Sequence, residues 1–437
     1  MRNRIFIITL LSFIYLYPSV AQDNHQQVHQ DTTTLQSSTT QDDHTQTGES
    51  HDAHADHADH EHAAFDPGAT AIHHISDANV YSILDFVRIP LPTILYANDK
   101  GWDIFSSGKF HAGHHEDGHY SYNGYVLHHG SVHRVADAGF PMEGSVEVEG
   151  YAHKQEEKNG KKVDVNYALY QGKEYRLDAR STMDGGILGG GFTSFIDFSP
   201  TKNVISMILV SLFLFLMFRK AANAYKNNPT KAPSGIQGFL EPVFLFIRDD
   251  VAIPFIGKKH TIYLPFLLSV FFFILGLNLW GQVPFLGSVN VTGSLSVTMV
   301  LAILVFIIVN VNGNSHYWGH IFWMPDVPIP IKILLACVEV MGLFIKPLTL
   351  MLRLAGNISA GHIAILSFIG LIFIFGKSGE SLGGSLVGTA VSIPLTMFMM
   401  AIEIIVAFVQ AFVFTILTAS FIGAATEDHH HAEEGHH

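Results

Sequence analysis

Two apolar segments near the C-terminus, Ile331–Phe375 and Val387–Ile422, each run for more than about 35 residues with almost no charge. As helices rising about 1.5 Å per residue they would exceed about 50 Å, while a bilayer's hydrocarbon core is about 30 Å thick. A straight perpendicular helix would overshoot, so both must tilt, bend or do both. Pro347 and Pro394 stand inside the runs and offer bending points. The polar, Gly-rich stretch from Lys377 to Gly384 between them reads as the turn of a hairpin.

The few polar residues in this hairpin carry its chemistry. Arg353 lies in the middle of the first segment, within KPLTLMLRLAGNISAGH (Lys346 to His362). A charge at mid-membrane costs about 2.5–3.5 kcal/mol on insertion scales, so such residues are rare and usually functional. Arg353, Asn357, Ala360 and Gly361 are spaced i, i+4, i+7 and i+8, which puts them on one helix face. One cation among small residues suits close approach of another helix that brings a carboxylate. Arginine stays charged when partly desolvated, whereas a buried lysine readily loses its proton. His362 points around the helix from that face. In the second segment Glu403 and Gln410 are i and i+7 and share a face. Antiparallel pairing would let Glu403 meet His362 and leave Gln410 near Arg353. A His–Glu pair inside a membrane makes a natural proton relay, because imidazole titrates near neutrality and burial raises a carboxyl pKa. Each residue alone reads more simply as a packing ion pair or a helix cap. Four of them on two adjacent, overlong helices favour an ion path.

The rest of the 437 residues falls into two unlike halves. Up to about residue 200 the chain is polar, acidic and His-rich; beyond it, apolar runs dominate. The net charge of −13 argues against a nucleic-acid partner, which would demand a basic surface. The single cysteine, Cys337, falls in a membrane segment and reads as core. Arg2 and Arg4 ahead of the apolar run Ile5–Leu16, then Ser19-Val20-Ala21, form a secretory signal over residues 1–21. Residues 22–63 are too polar to fold alone and read as a disordered arm. Its regularly spaced His51, His54, His57 and His60 read as a solvated linker rather than a metal site.

Residues 64–194 are expected to form a small β-rich exported domain. Ser145–Gly150 and Val163–Leu169 alternate with period two, and Glu156–Lys162, containing Asn159-Gly160, reads as the hairpin turn between them. A second histidine cluster (His111, His114, His115, His119, His128, His129, His133) reads as structural or solvated. The glycine-rich stretch from Asp184 to Gly191 reads as a flexible linker.

Residues 195–437 form the membrane region, with spans at about 204–218, 262–281, 297–311, 331–375 and 387–422. Arg219, Lys220, Lys226 and Lys231 put the inner end of the first span in the cytoplasm, in agreement with an exported N-terminus. Gly238–Ile256 carries Glu241, Arg248, Asp249, Asp250 and two prolines, and reads as an interfacial amphipathic helix. Asn312–Pro330 reads as an interfacial loop. Five crossings leave the His-rich tail in the cytoplasm. The expected fold class is an all-α membrane protein with two long tilted helices in a hairpin, preceded by the β-rich domain.

The arginine motif together with AIEIIVAFVQAFVFTILT (Ala401 to Thr418) resembles subunit a of the F-type ATP synthase, over roughly residues 236 to 424. The match extends to Gly238-Phe-Leu-Glu-Pro-Val, to Asn278 with Gly281 and Pro284, to Asn290-Val-Thr and to Glu339. The resemblance implies that Arg353 faces a rotating ring of c subunits and keeps each ring carboxylate ionised as it passes. It implies that Asn357 helps on the same face, with Ala360 and Gly361 the small residues toward the rotor, and that Gln410 sits beside the arginine. His362 and Glu403 match an acid/base pair in the outer access channel, in the order similar to mitochondrial members. Glu339 matches a residue of the cytoplasmic half-channel. Ala355 stands where the family usually has Phe, and Gly281 where some members have an acid. The implied partners are the c ring, the b-subunit peripheral stalk and the remaining F0F1 subunits, in a bacterial inner membrane, with no cofactor and no catalysis by this chain alone. The alternative is a metal-ion transporter with a His-rich scavenging domain, which leaves the hairpin and the arginine face without a role. A further alternative makes the exported domain a separate assembly or docking module.

Overall fold

A computed structural model describes residues 76–427, apart from 84–86, 114–115, 138, 159–160, 182–192, 228–231, 284–288, 325–327 and 378–380. The expected signal segment, the His-rich arm, His114, His115, the Gly-rich linker and the tail lie outside the described residues.

The N-terminal part is β-structure. Strands β1 (Val80–Ile83), β2 (Val87–Pro90), β3 (Pro92–Ala97), β4 (Gly101–Ser106), β5 (Tyr120–Tyr122) and β6 (Tyr125–His128) are followed by β7 (Ser131–Arg134), β8 (Ser145–Glu147), β9 (Gly150–Lys158), β10 (Lys161–Tyr170), β11 (Lys173–Arg176) and β12 (Phe195–Asp197). They pair as β1-β2, β11-β10-β9, β12-β3-β4 and β7-β6-β5-β8. β6 is buried on both faces. Tyr125 and Leu127 enter one core with Leu95, Phe110 and Phe195, while Val126 enters another with Phe140 and Leu177. Strand pairing continues to Asp197, three residues beyond the boundary drawn at 194.

From β12 the chain passes almost directly into helix α1 (Lys202–Asn227). The first backbone N–H groups of a helix have no partner within it. Here the Lys202 N–H donates to the Ala78 carbonyl at 2.8 Å and the Asn203 N–H to Asp77 Oδ1 at 3.2 Å, both ahead of β1. Tyr81 and Leu91 from the β region join the core that contains Met207 and Val210 of α1.

Helix α2 (Ile236–Phe246) runs into a π-helical turn (Ile247–Ala252) and a short turn (Ile253–Ile256), which Gly257 ends at φ +65°. This is the helix expected at the interface, interrupted but helical. It is followed by α3 (His260–Gln282), α4 (Leu295–Val311) and α5 (Ser315–Phe322). Asn312–Pro330 was expected as a loop; α5 forms there and bends by 103° from α4. The Asn314 N–H ahead of it donates to the Ala425 carbonyl at 3.0 Å, which anchors the corner.

The two overlong segments are single helices, α6 (Ile329–Phe375, 47 residues) and α7 (Leu382–Thr426, 45 residues), with Pro347 and Pro394 in their interiors. At about 1.5 Å per residue each is about 70 Å long. Among the described residues four helices are long and apolar enough to cross a membrane, or five if the bent α4–α5 pair counts as one. Cys337 is exposed on α6 rather than part of the core. An apolar helix that meets lipid or a partner leaves such a residue outside.

Candidate functional site

α6 and α7 pack along much of their length, and their polar residues sort to two sides of the pair. On the outward side Arg353, Asn357 and Ala360 are exposed, whereas Gly361, expected on the same face, is half-buried against Glu403. Around them the surface is apolar: Phe344, Leu348 and Leu352 on α6, and Ile405, Phe408 and Val409 on α7. No carboxylate among the described residues lies within ion-pair distance of Arg353.

On the inward side His362 Nδ1 lies 2.5 Å from Glu403 Oε1, with side chains 11% and 2% exposed. The contact is close but poorly aligned, so neither atom makes a well-formed hydrogen bond. Gly361 makes the approach possible, since a Cβ there would stand 3.1 Å from Glu403 Oε1. Gln410 is also buried, and no hydrogen bond joins it to Arg353. The expected meeting of His362 with Glu403 is thus present; Gln410 and Arg353 point to different sides.

The pair belongs to a polar seam that runs through an otherwise apolar body. The Gln282 Nε2 amide, at the end of α3, donates to the Glu403 carbonyl at 3.0 Å, and Asn278 Nδ2 donates to the Ala407 carbonyl at 3.1 Å. Thr292 Oγ1 donates to Asn278 Oδ1 at 2.6 Å, and Asn290 Nδ2 reaches Ser359 Oγ at 3.4 Å. Ser359 Oγ in turn donates to the Gly293 carbonyl at 3.1 Å. These bonds tie the 289–294 segment, α3, α6 and α7 together.

Gly281 completes the join: a Cβ there would meet the Val289 carbonyl at 2.6 Å and sit 3.7 Å from His362 Nε2. Trp280 Nε1, Gln282 Oε1 and Thr396 Oγ1 are buried without a hydrogen-bond partner among the described residues. Buried polar atoms are ordinarily satisfied, so unpaired ones beside an acid and a base mark places for water or a moving proton. Trp280 and Gln282 add to the residues expected from the sequence, whereas Thr292 lies in the Asn290-Val-Thr match and Ser359 in the arginine motif. The signal for Trp280 and Gln282 was the cluster of polar residues just where α3 ends.

Glu339 is half-buried on α6, about 21 Å toward the N-terminus from Arg353 at the helical rise. Between their levels a small cavity is lined by Asn310, Tyr317, Lys346, Pro347 and Phe421. The Lys346 ammonium lies over the Phe421 ring, 5.7 Å from its centroid.

An exposed cation on an apolar helix pair, backed by a buried acid–base pair and a seam of amides, defines a helical membrane-spanning protein built for ion movement. The family described as ATP synthase A chain matches residues 204–423. A relative named ATP synthase subunit a from Chlorobium phaeobacteroides (strain BS1) is 39% identical over 264 residues, 57% of this chain and 72% of the relative. Another of that name, from Myxococcus xanthus (strain DK1622), is 38% identical over 59% of this chain and 83% of the relative. One from Prosthecochloris aestuarii (strain DSM 271 / SK 413), named ATP synthase subunit a 2, is 40% identical over 57% and 73%. The chain belongs to the ATP synthase A chain family, and its role is that of the proton-translocating stator subunit in the F0 sector. Separately, a domain of unknown function, DUF8433, matches residues 70–164, which cover most of the β-structure.

Proposed function

We propose that protons pass through two offset half-channels that meet at Arg353. A proton enters along the seam at His362 and Glu403, neutralises a carboxylate on a ring of c subunits and travels nearly a full turn with the ring. It leaves on the other side, past Glu339. Arg353 holds each arriving carboxylate ionised and blocks direct leakage between the two paths. Asn357 assists on the same face, Gln410 stands buried within the helix pair without a hydrogen bond to the arginine, and Ala360, with Gly361 at the edge of that face, leaves room for the ring. Each charge that falls through 100 mV releases about 2.3 kcal/mol, so several are needed for one ATP.

The observation that carries this reading is the division of polar groups on the α6–α7 pair. A proton-transfer pair is buried on one side, and on the other an arginine has no carboxylate partner among the described residues. The basic flank after α1 supports an N-terminal side outside a bacterial inner membrane and a cytoplasmic C-terminus. The same orientation puts the β domain on the outer side, with residues 1–21 as the signal that exports it. The c ring, a b-type peripheral stalk and the remaining F0F1 subunits are the partners.

The test is Arg353→Ala in the assembled complex. It should leave the c ring and the b subunits co-purifying with the chain, yet abolish both ATP synthesis driven by a proton gradient and ATP-driven pumping. Full coupled activity in that variant would refute the mechanism.

A further inference from the structure

The turn between β6 and β7 is His129-Gly130, closed by the pairing of His128 with Ser131. Both turn residues have positive φ, +46° and +72°. Two-residue hairpins of this kind favour Asn-Gly; histidine is one of the few other side chains that enters the left-handed region with some frequency. Facing the turn is Glu116, itself left-handed at φ +59°, whose carbonyl accepts the Gly130 N–H at 3.2 Å. Two costly backbone conformations thus meet at one place. Strain of this sort persists where the surroundings fix it and clusters at functional sites.

Between these two residues sits Asp117. Its Oδ1 accepts the His129 N–H at 2.6 Å and lies 2.9 Å from His128 Nδ1. His128 is 6% exposed, and its ring stacks on Tyr151 with centroids 4.4 Å apart. The Tyr151 hydroxyl donates to the Gly118 carbonyl at 2.8 Å, so the stack is itself tied to the Asp117 loop. One ligand atom each from Asp117, His128 and His129 lies within 4.8 Å of the others. Behind them His133 is buried, with its Nδ1 2.9 Å from the Asp178 carbonyl.

We propose that Asp117, His128 and His129 bind a divalent transition-metal ion, with zinc as the best fit, that pins the β6–β7 turn to the loop before β5. Two imidazoles and a carboxylate suit zinc, with a fourth position left for water. Two ligands each about 2.0–2.1 Å from a tetrahedral ion stand about 3.3 Å apart, so the 2.9 Å gap between Asp117 Oδ1 and His128 Nδ1 has to widen by only a few tenths of an ångström. The ion takes the place of the proton between His128 Nδ1 and Asp117 Oδ1, and the neutral ring then carries its one proton on Nε2.

The test titrates the purified full-length chain in detergent with zinc against a competing chromophoric chelator. Weak binding by the histidines of residues 22–63 and of the tail forms the background, and one tighter equivalent is expected above it. His129→Asn gives the turn its favoured Asn-Gly pair and leaves folding intact, yet should weaken the tight equivalent by at least about tenfold. Asp117→Asn should do the same. Absence of a tight equivalent in the wild type, or an unchanged one in His129→Asn, overturns the proposal. Hydrogen exchange on the wild type is independent of any variant's folding. Zinc should slow exchange across residues 116–131, and no slowing there also overturns it.

Discussion

His362 Nδ1 of α6 stands 2.5 Å from Glu403 Oε1 of α7, with Gly361 beside them supplying the space. The chemistry needs one base and one acid in contact and is indifferent to which helix carries which. Either His362→Ala or Glu403→Ala should lower ATP-driven proton pumping in inverted vesicles by about a hundredfold, the scale of a lost acid–base group. The exchanged double variant, His362→Glu with Glu403→His, should recover to within about tenfold of the wild type. A double variant no better than the singles would rule out the pair as a relay.

Asn278 bridges Thr292 and the Ala407 carbonyl inside the seam. Asn278→Ala leaves the buried Thr292 hydroxyl without its acceptor and removes a second donor from the Ala407 carbonyl, which costs about 1–3 kcal/mol. The melting temperature of the purified chain should fall accordingly, and pumping should fall with it. Unchanged melting would mean that the 289–294 segment is held by other contacts.

Gly423 lets α7 cross the short helical turn that precedes Gly257. A Cβ at this position would collide with the Phe255 carbonyl oxygen, a backbone atom that cannot swing aside. Gly423→Ala should destabilise the chain by at least about 1–3 kcal/mol, the usual cost of overpacking, and should also disturb the Lys259 bond to the Thr426 carbonyl next to it. Thermal melting reads the loss directly; a neutral substitution would contradict this crossing.

His133 gives the β domain an acid-sensitive stability. Burial holds its folded pKa near about 4, against about 6.5 when unfolded. Between those values the unfolded chain binds the proton and the folded one does not. The contribution is therefore complete above about pH 6.5 and declines as pH falls to about 4, by at most about 3 kcal/mol. Asp117 adds a loss at still lower pH. Its burial raises the carboxyl pKa, but hydrogen bonds from His128 and the His129 N–H more than offset this and hold it low. Asp197, whose buried carboxyl is pushed up, works in the opposite sense. Melting of the full chain from pH 7 to 4 should show the decline, reduced in His133→Gln. Matching profiles would clear His133 of the effect.

The hairpin was legible because so few polar residues interrupt it. Antiparallel pairing about one turn then leaves a single register in which His362 meets Glu403. The outward placement of Cys337 was not legible, because apolar composition marks core in water but says nothing of inside or outside in lipid. Among the strands, β10 showed its alternation, whereas β9, with the sequence GYAHKQEEK, is held by pairing with β10 rather than by a buried stripe. Helix α5 was hidden among tryptophans and prolines that read as a loop. The metal-ligand arrangement was invisible for a related reason. His128 and His129 meet Asp117 only through the fold, and their neighbours in sequence resemble solvated histidines.

The passage from β12 into α1 spans Phe198 to Thr201, and α1's first N–H groups are bonded to Ala78 and Asp77 of the β domain. There is no slack between the two, so the domain and the helix behave as one lever. A fluorophore or gold particle on the β domain would therefore act as a pointer for the tilt of the first membrane helix. The load borne by the stator during turnover could be watched from outside the bilayer without touching the proton path.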